Sequence, residues 1–145
     1  MKYLLILALL LTPSICSANE KGVYVTDQML KDLSNTLTNK SSGLKIDNLT
    51  TIRSIFIVGI GDTMLFKYIY DIDMVMGDEV DKKTLTTNIK EGSKYTSESN
   101  CKMLQSIVDR SSNYKRAIIS ESLFFSDFRI VKLKFSCSSL QYIDY

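Results

Sequence analysis

The apolar positions from residue 29 onward recur at helical spacing. Met29, Leu30, Leu33 and Leu37 share one face, and Lys31, Asp32, Asn35 and Lys40 lie on the other. Thr26 is a suitable N-cap, Asp27 suits the first turn, and Ser41-Ser42-Gly43 ends the pattern. An amphipathic helix of about four turns is expected there. The pattern then changes. Leu49 to Val58 is rich in β-branched residues, Gly59-Ile60-Gly61-Asp62 is a turn, and Thr63 to Tyr70 is a second extended run. The two runs predict a β-hairpin.

Asp71 to Asp81 is the most acidic stretch. It begins like a calcium loop, but the fifth position is Val75, the glycine stands seventh, and Lys82 holds the twelfth place. These carboxylates are better placed to cap a helix over Lys82 to Lys90, with Val80, Leu85 and Ile89 apolar and Gly92 as its stop. A polar stretch, Thr96 to Asn100, leads into a second short helix marked by Cys101, Leu104, Ile107 and Val108. Tyr114 to Phe125 and Phe128 to Cys137 read as strands around Ser126-Asp127. In the last of them Val131, Leu133, Phe135 and Cys137 alternate with Ile130, Lys132, Lys134 and Ser136. The tail from Leu140 to Tyr145 matches no element.

The order helix, hairpin, helices, hairpin predicts an α+β fold: an antiparallel sheet of about four strands with helices on one face. A chain of this length makes one domain. It is expected to span residues 19–145, because the first eighteen have the pattern of a secretory leader. Lys2 precedes the apolar run Leu4 to Leu11, Pro13 breaks it, and Cys16-Ser17-Ala18 offers small residues for a cut between Ala18 and Asn19. The run is too short to span a membrane. A lipid anchor at Cys16 would need a small residue in place of Ile15 and an aliphatic one in place of Pro13. The short leader has a bacterial form. The periplasm is the expected compartment, with release outside the cell as the alternative.

That compartment governs the remaining cysteines. Cys101 and Cys137 both share faces with apolar residues, and in an oxidising space an even pair reads as a disulfide. The net charge of the chain is only +2, with the two signs interspersed, so nucleic-acid binding has no support. There is no histidine and no tryptophan. The missing histidine removes the commonest general base and the usual zinc ligands. Gly59-x-Gly61 lacks a third glycine and leads into a strand, so it is no nucleotide loop, and no cofactor is implied. A hydrolase would need paired carboxylates, for which Asp71, Asp73 and Glu121 are the candidates.

Certain residues resemble those of a family of small secreted bacterial proteins, the quorum-sensing-regulated virulence factors. These are Leu33, Asn35 and Leu37 on a helix, Ile46-Asp47 and Thr50 before a strand, Leu65, Tyr68 and Tyr70 in an aromatic strand, Cys101 and Leu104 on a short helix, and a last strand ending in Cys137. The resemblance covers roughly residues 26–137, although the proline usual before the first strand of that family is missing. It implies a secreted α+β protein and carries over no catalytic residues.

The functional expectation is a non-enzymatic, disulfide-stapled accessory or binding protein of the bacterial envelope. It would support envelope, secretion or virulence functions through contacts with another protein. The alternative is a periplasmic inhibitor or immunity protein that blocks a toxin or lytic enzyme. Tyr114, Tyr142 and Tyr145 suit either such contacts or ordinary core and edge positions.

Overall fold

The Thr26 hydroxyl accepts a hydrogen bond from the Met29 amide at 3.2 Å and opens helix α1, Asp27–Ser41. The cap satisfies one of the amides that a helix start leaves unpaired. The computed structural model describes residues 22–143 apart from 76, 78 and 79. The leader, its expected cut at Ala18 and Asn19, Cys16 and Tyr145 lie outside the described residues. Leu30, Ser34 and Leu37 are buried along one side of α1. The chain leaves it through Ser42 and Gly43, whose φ of 80° suits glycine.

Strands β1, Thr50–Ile60, and β2, Thr63–Ile72, pair antiparallel around Gly61 and Asp62. The expected hairpin is therefore present. A bulge between Ile52 and Ser54 shifts the register, so that Ile52 before it and Ile55 and Ile57 after it all face the core. Helix α2, Lys82–Val108, follows. Its N-cap is Asp81, which accepts from the Thr84 amide at 2.9 Å and the Thr84 hydroxyl at 2.6 Å. One of the acidic residues of the 71–81 stretch thus caps the next helix, as the sequence predicts.

Strands β3, Arg116–Phe125, β4, Ile130–Ser136, and β5, Gln141–Tyr142, complete a five-stranded sheet of order β1-β2-β3-β4-β5. Two sequence expectations are corrected here. The first is the break at Gly92, because α2 is one helix of 27 residues. An interior glycine costs only about 1 kcal/mol, and the buried row Leu85, Ser97, Cys101, Leu104 and Val108 outweighs it. Thr86, Thr87 and Ser93 also turn their hydroxyls back onto carbonyls four residues earlier and so stay compatible with the helix.

The second correction follows from the first. A pair of short helices could return the chain to the end of the sheet it had left. One helix of this length rises roughly 40 Å and delivers the chain to the opposite end. Strand β3 therefore starts beside the start of β2, Thr63 opposite Arg116, and the two run parallel to Ile72 opposite Phe125. The other pairings are antiparallel. The sheet is mixed, with a short fifth strand made from the tail.

Both helices lie on one face. Leu30 and Leu37 of α1 and Cys101, Leu104 and Val108 of α2 form one cluster with Ile55, Ile57, Phe66, Ile119 and Phe135. A second cluster joins Leu85 to Ile72, Phe125, Val131 and Leu133. Among the described residues no helix is long and apolar enough to cross a membrane.

Candidate functional site: the open face of the sheet

Side chains alternate across a strand, so the residues between the core positions face the other way. On β1 these are Phe56, Val58 and Ile60, which are 41%, 45% and 61% exposed. The register extends the row across the sheet. Val58 stands opposite Leu65, which neighbours Ile118. Phe56 stands opposite Lys67, and Lys67 neighbours Ser120, which faces Lys134. Ser54 is opposite Ile69, Ile69 neighbours Ser122, and Ser122 faces Lys132. No described helix or strand covers this face. It carries an apolar corner on β1 and a stripe of lysines toward β4, with the small side chains of Ser120 and Ser122 low between them.

Two ion pairs bound the face. Arg53 pairs with Asp71, its Nε donating to Asp71 Oδ2 at 3.1 Å, and its guanidinium lies 4.4 Å from the centre of the Phe124 ring. At the other end Arg116 donates to Asp62 at 2.7 Å, and that contact holds the Asp62 carboxyl below its usual range. Lys67 and Lys132 have no acidic partner among the described residues.

The three carboxylates considered for hydrolysis do not share one pocket, because Glu121 stands on the opposite side of the sheet from Asp71. Asp71 is on the open face with Arg53, and Asp73 lies beyond β2 beside the Ser126 hydroxyl. Glu121 points into the core face, opposite Tyr68 and Leu133. There it divides the two apolar clusters, next to the stacked rings of Tyr68 and Tyr70, whose centres are 6.2 Å apart. Burial pushes its carboxyl up to about 7 and raises both tyrosine hydroxyls well above their ordinary range. Helix α2 adds Ser93 and Ser97, both in contact with the Tyr142 hydroxyl, and Asn100, whose Oδ1 is buried without a hydrogen-bond partner. The result is a polar seam inside the core. Among the described residues no group of three or more His, Cys, Asp or Glu is placed to hold a metal.

Cys101 and Cys137 are bonded, with their Cα atoms 5.0 Å apart and a sequence separation of 36. The bond ties the C-terminal third of α2, on its sheet-facing side, to the residue that follows β4. A loop of that length is worth about 3–4 kcal/mol in the chain-entropy model. The bond is structural: both cysteines belong to the core cluster.

A separate shallow cleft of about 500 Å³ lies at the start of α1, lined by Tyr24, Val25, Thr26, Asp27, Gly59, Gly61, Asn113 and Tyr114. Tyr114, a candidate contact residue from the sequence, is buried there with its hydroxyl over Gly59. Tyr142 packs edge-on against Phe135 with ring centres 5.0 Å apart, so it too serves the core. Apart from Asp71, the residues of the open face belong to no motif that marks them in the sequence. The one available signal was the unbroken apolar run from Ile55 to Val58, which fills both faces of a strand that one helix covers on one side only.

Comparison of the chain with protein-family models, curated proteins and solved structures finds no match.

Proposed function

We propose that this is an exported accessory protein that binds another protein of the bacterial envelope through the open face of its sheet. The observation that carries the reading is the outward row Phe56, Val58 and Ile60, three large apolar side chains exposed together on a rigid strand. Contiguous apolar surface of this kind marks interaction sites. Loop-borne contacts would have to be ordered on binding. This row is held in place by the β1–β2 pairing, so little entropy is lost.

Export is supported by the leader pattern of residues 1–18 and by the Cys101–Cys137 bond, a kind of link that persists in oxidising compartments.

The test is native size in gently solubilised envelope. Wild-type protein is expected to elute in a complex larger than the single chain. Val58→Glu, folded by circular dichroism, is expected to elute as the single chain. Intact mass of the recovered protein should begin at Asn19. A wild-type protein that elutes as a single chain, or a complex that Val58→Glu leaves intact, overturns the proposed surface.

A further inference from the structure

We infer that the open face takes a protein segment in which carboxylates stand beside apolar side chains; this inference rests on the binding role proposed above. The charge pattern of the face carries it. The two acidic groups at its ends, Asp62 and Asp71, are each matched by an arginine. Lys67 and Lys132 in its middle have no acidic partner among the described residues, and Lys134 continues the same stripe. The surface left to a partner is therefore cationic at its centre and apolar along β1.

The register fixes the spacing. Phe56 is directly across from Lys67, so an apolar anchor and a cation lie one strand apart, about 5 Å in the backbone. Lys132 lies two strands from Lys67 and two residues along, about 12 Å away in the backbone. A partner that fits both features offers an apolar side chain next to one carboxylate, with a second carboxylate at the distance of Lys132. Complementary charge of this kind steers encounter and sets register more than it sets bare affinity.

The same pattern argues against a second copy of the chain. A two-fold contact brings the same patch of both copies together, so the lysine stripes would oppose each other. It also argues against a lipid surface. Ser120 and Ser122, 4% and 5% exposed, sit low between the lysines and leave a relief that protein side chains can fill and a bilayer cannot follow.

The experiment is selection of short displayed peptides on the purified, disulfide-bonded protein, followed by binding measurements on the enriched sequences. The expected result is enrichment of Asp or Glu together with Leu, Ile or Phe. Lys67→Glu with Lys132→Glu should weaken those peptides by at least about tenfold, roughly 1.4 kcal/mol, and Val58→Ser should weaken them comparably. Raised salt should weaken wild-type binding and leave the double variant little changed. All these positions are at the surface, and unchanged thermal melting checks that each variant folds.

Peptides without acidic bias, or peptides sensitive to Val58→Ser but not to the lysine variants, overturn the acidic partner and leave the open face standing. Peptides indifferent to all three substitutions overturn both. The acidic-protein partner also falls if phosphatidylglycerol vesicles capture the wild type and not Val58→Ser. It falls equally if sedimentation reveals a self-association that Val58→Ser abolishes.

Discussion

The Ser34 hydroxyl accepts the Ile57 amide at 2.8 Å and donates to the Leu30 carbonyl at 2.7 Å. One turn along α1, Thr38 accepts from the Ile55 amide at 3.0 Å and donates to the Ile55 carbonyl at 2.7 Å. A helix thus closes the outer edge of β1 with side-chain hydroxyls. The segment after it continues the closure, with Gly43 donating to Ile52 and Ile52 to Leu44. An edge strand left open invites pairing with other chains. Here the β1 edge is sealed, so on this side of the sheet contacts fall to the side chains of the open face.

Replacing Ser34 with alanine removes the partner of a buried amide. The expected cost is about 1–3 kcal/mol, as for other unsatisfied buried donors. Urea unfolding measures it. A loss below about 0.5 kcal/mol, the scale of an ordinary surface substitution, would mean that the Ile57 amide has another partner.

Glu121 makes stability depend on pH. Its folded value, about 7, is raised above its ordinary one of 4.5, so the folded state holds the proton more tightly than the unfolded state does. The stabilising contribution is complete below about 4.5 and is lost as pH rises through about 7. The span corresponds to at most about 3 kcal/mol. Urea midpoints should fall from pH 5 to pH 8 in the wild type. Glu121→Gln should flatten most of that decline and be the more stable protein at pH 8. Parallel profiles for the two proteins would refute the assignment.

Gly59 is held by its neighbour. A Cβ added there would lie 1.9 Å from the Tyr114 hydroxyl. Gly59→Ala should therefore destabilise by about 1–3 kcal/mol, in line with other overpacked sites. Adding Tyr114→Phe should recover part of the loss, because it removes the nearest colliding atom and leaves the ring carbon Cζ at 2.7 Å. Thermal melting of the single and double variants gives both quantities, and additive losses would show that the clash is not the cause.

Phe128 at the tip of the β3–β4 turn is 94% exposed and has φ of 65°. A bulky side chain in that backbone region is disfavoured by about 1–2 kcal/mol. Phe128→Gly is expected to stabilise the fold by up to about 1 kcal/mol, after the extra freedom of glycine in the unfolded chain is deducted. Chemical denaturation tests it, and a destabilised variant would show that the ring makes a contact worth more than the strain.

The sequence made local structure legible wherever one residue decides it. Thr26 caps α1, Gly61-Asp62 turns the hairpin, an acidic residue of the 71–81 stretch starts α2, and the alternation Val131, Leu133, Phe135 marks β4. The facing of Cys101 and Cys137 followed from the same periodicities. What depended on the balance of distant terms did not appear. Gly92 looks like a stop until the burial of Leu104 and Val108 is weighed against it. The parallel pairing of β2 and β3 then follows from that helix. Strand β5 needs a left-handed residue at Leu140, φ 52°, which composition does not announce. The open face is a tertiary property. Phe56 and Val58 look like core residues until the sheet has only one layer of helices.

Site-specific photocrosslinking in living cells can locate the surface through which the protein meets its partner. A photoreactive residue placed in turn at Phe56, Val58 and Ile60 is compared with the same residue at Lys31 and Thr36, exposed positions on α1. The expected result is a discrete protein adduct from the three sheet positions, competed by added wild-type protein and absent from the two helix positions. Adducts from the helix positions, with none from the sheet, would contradict it.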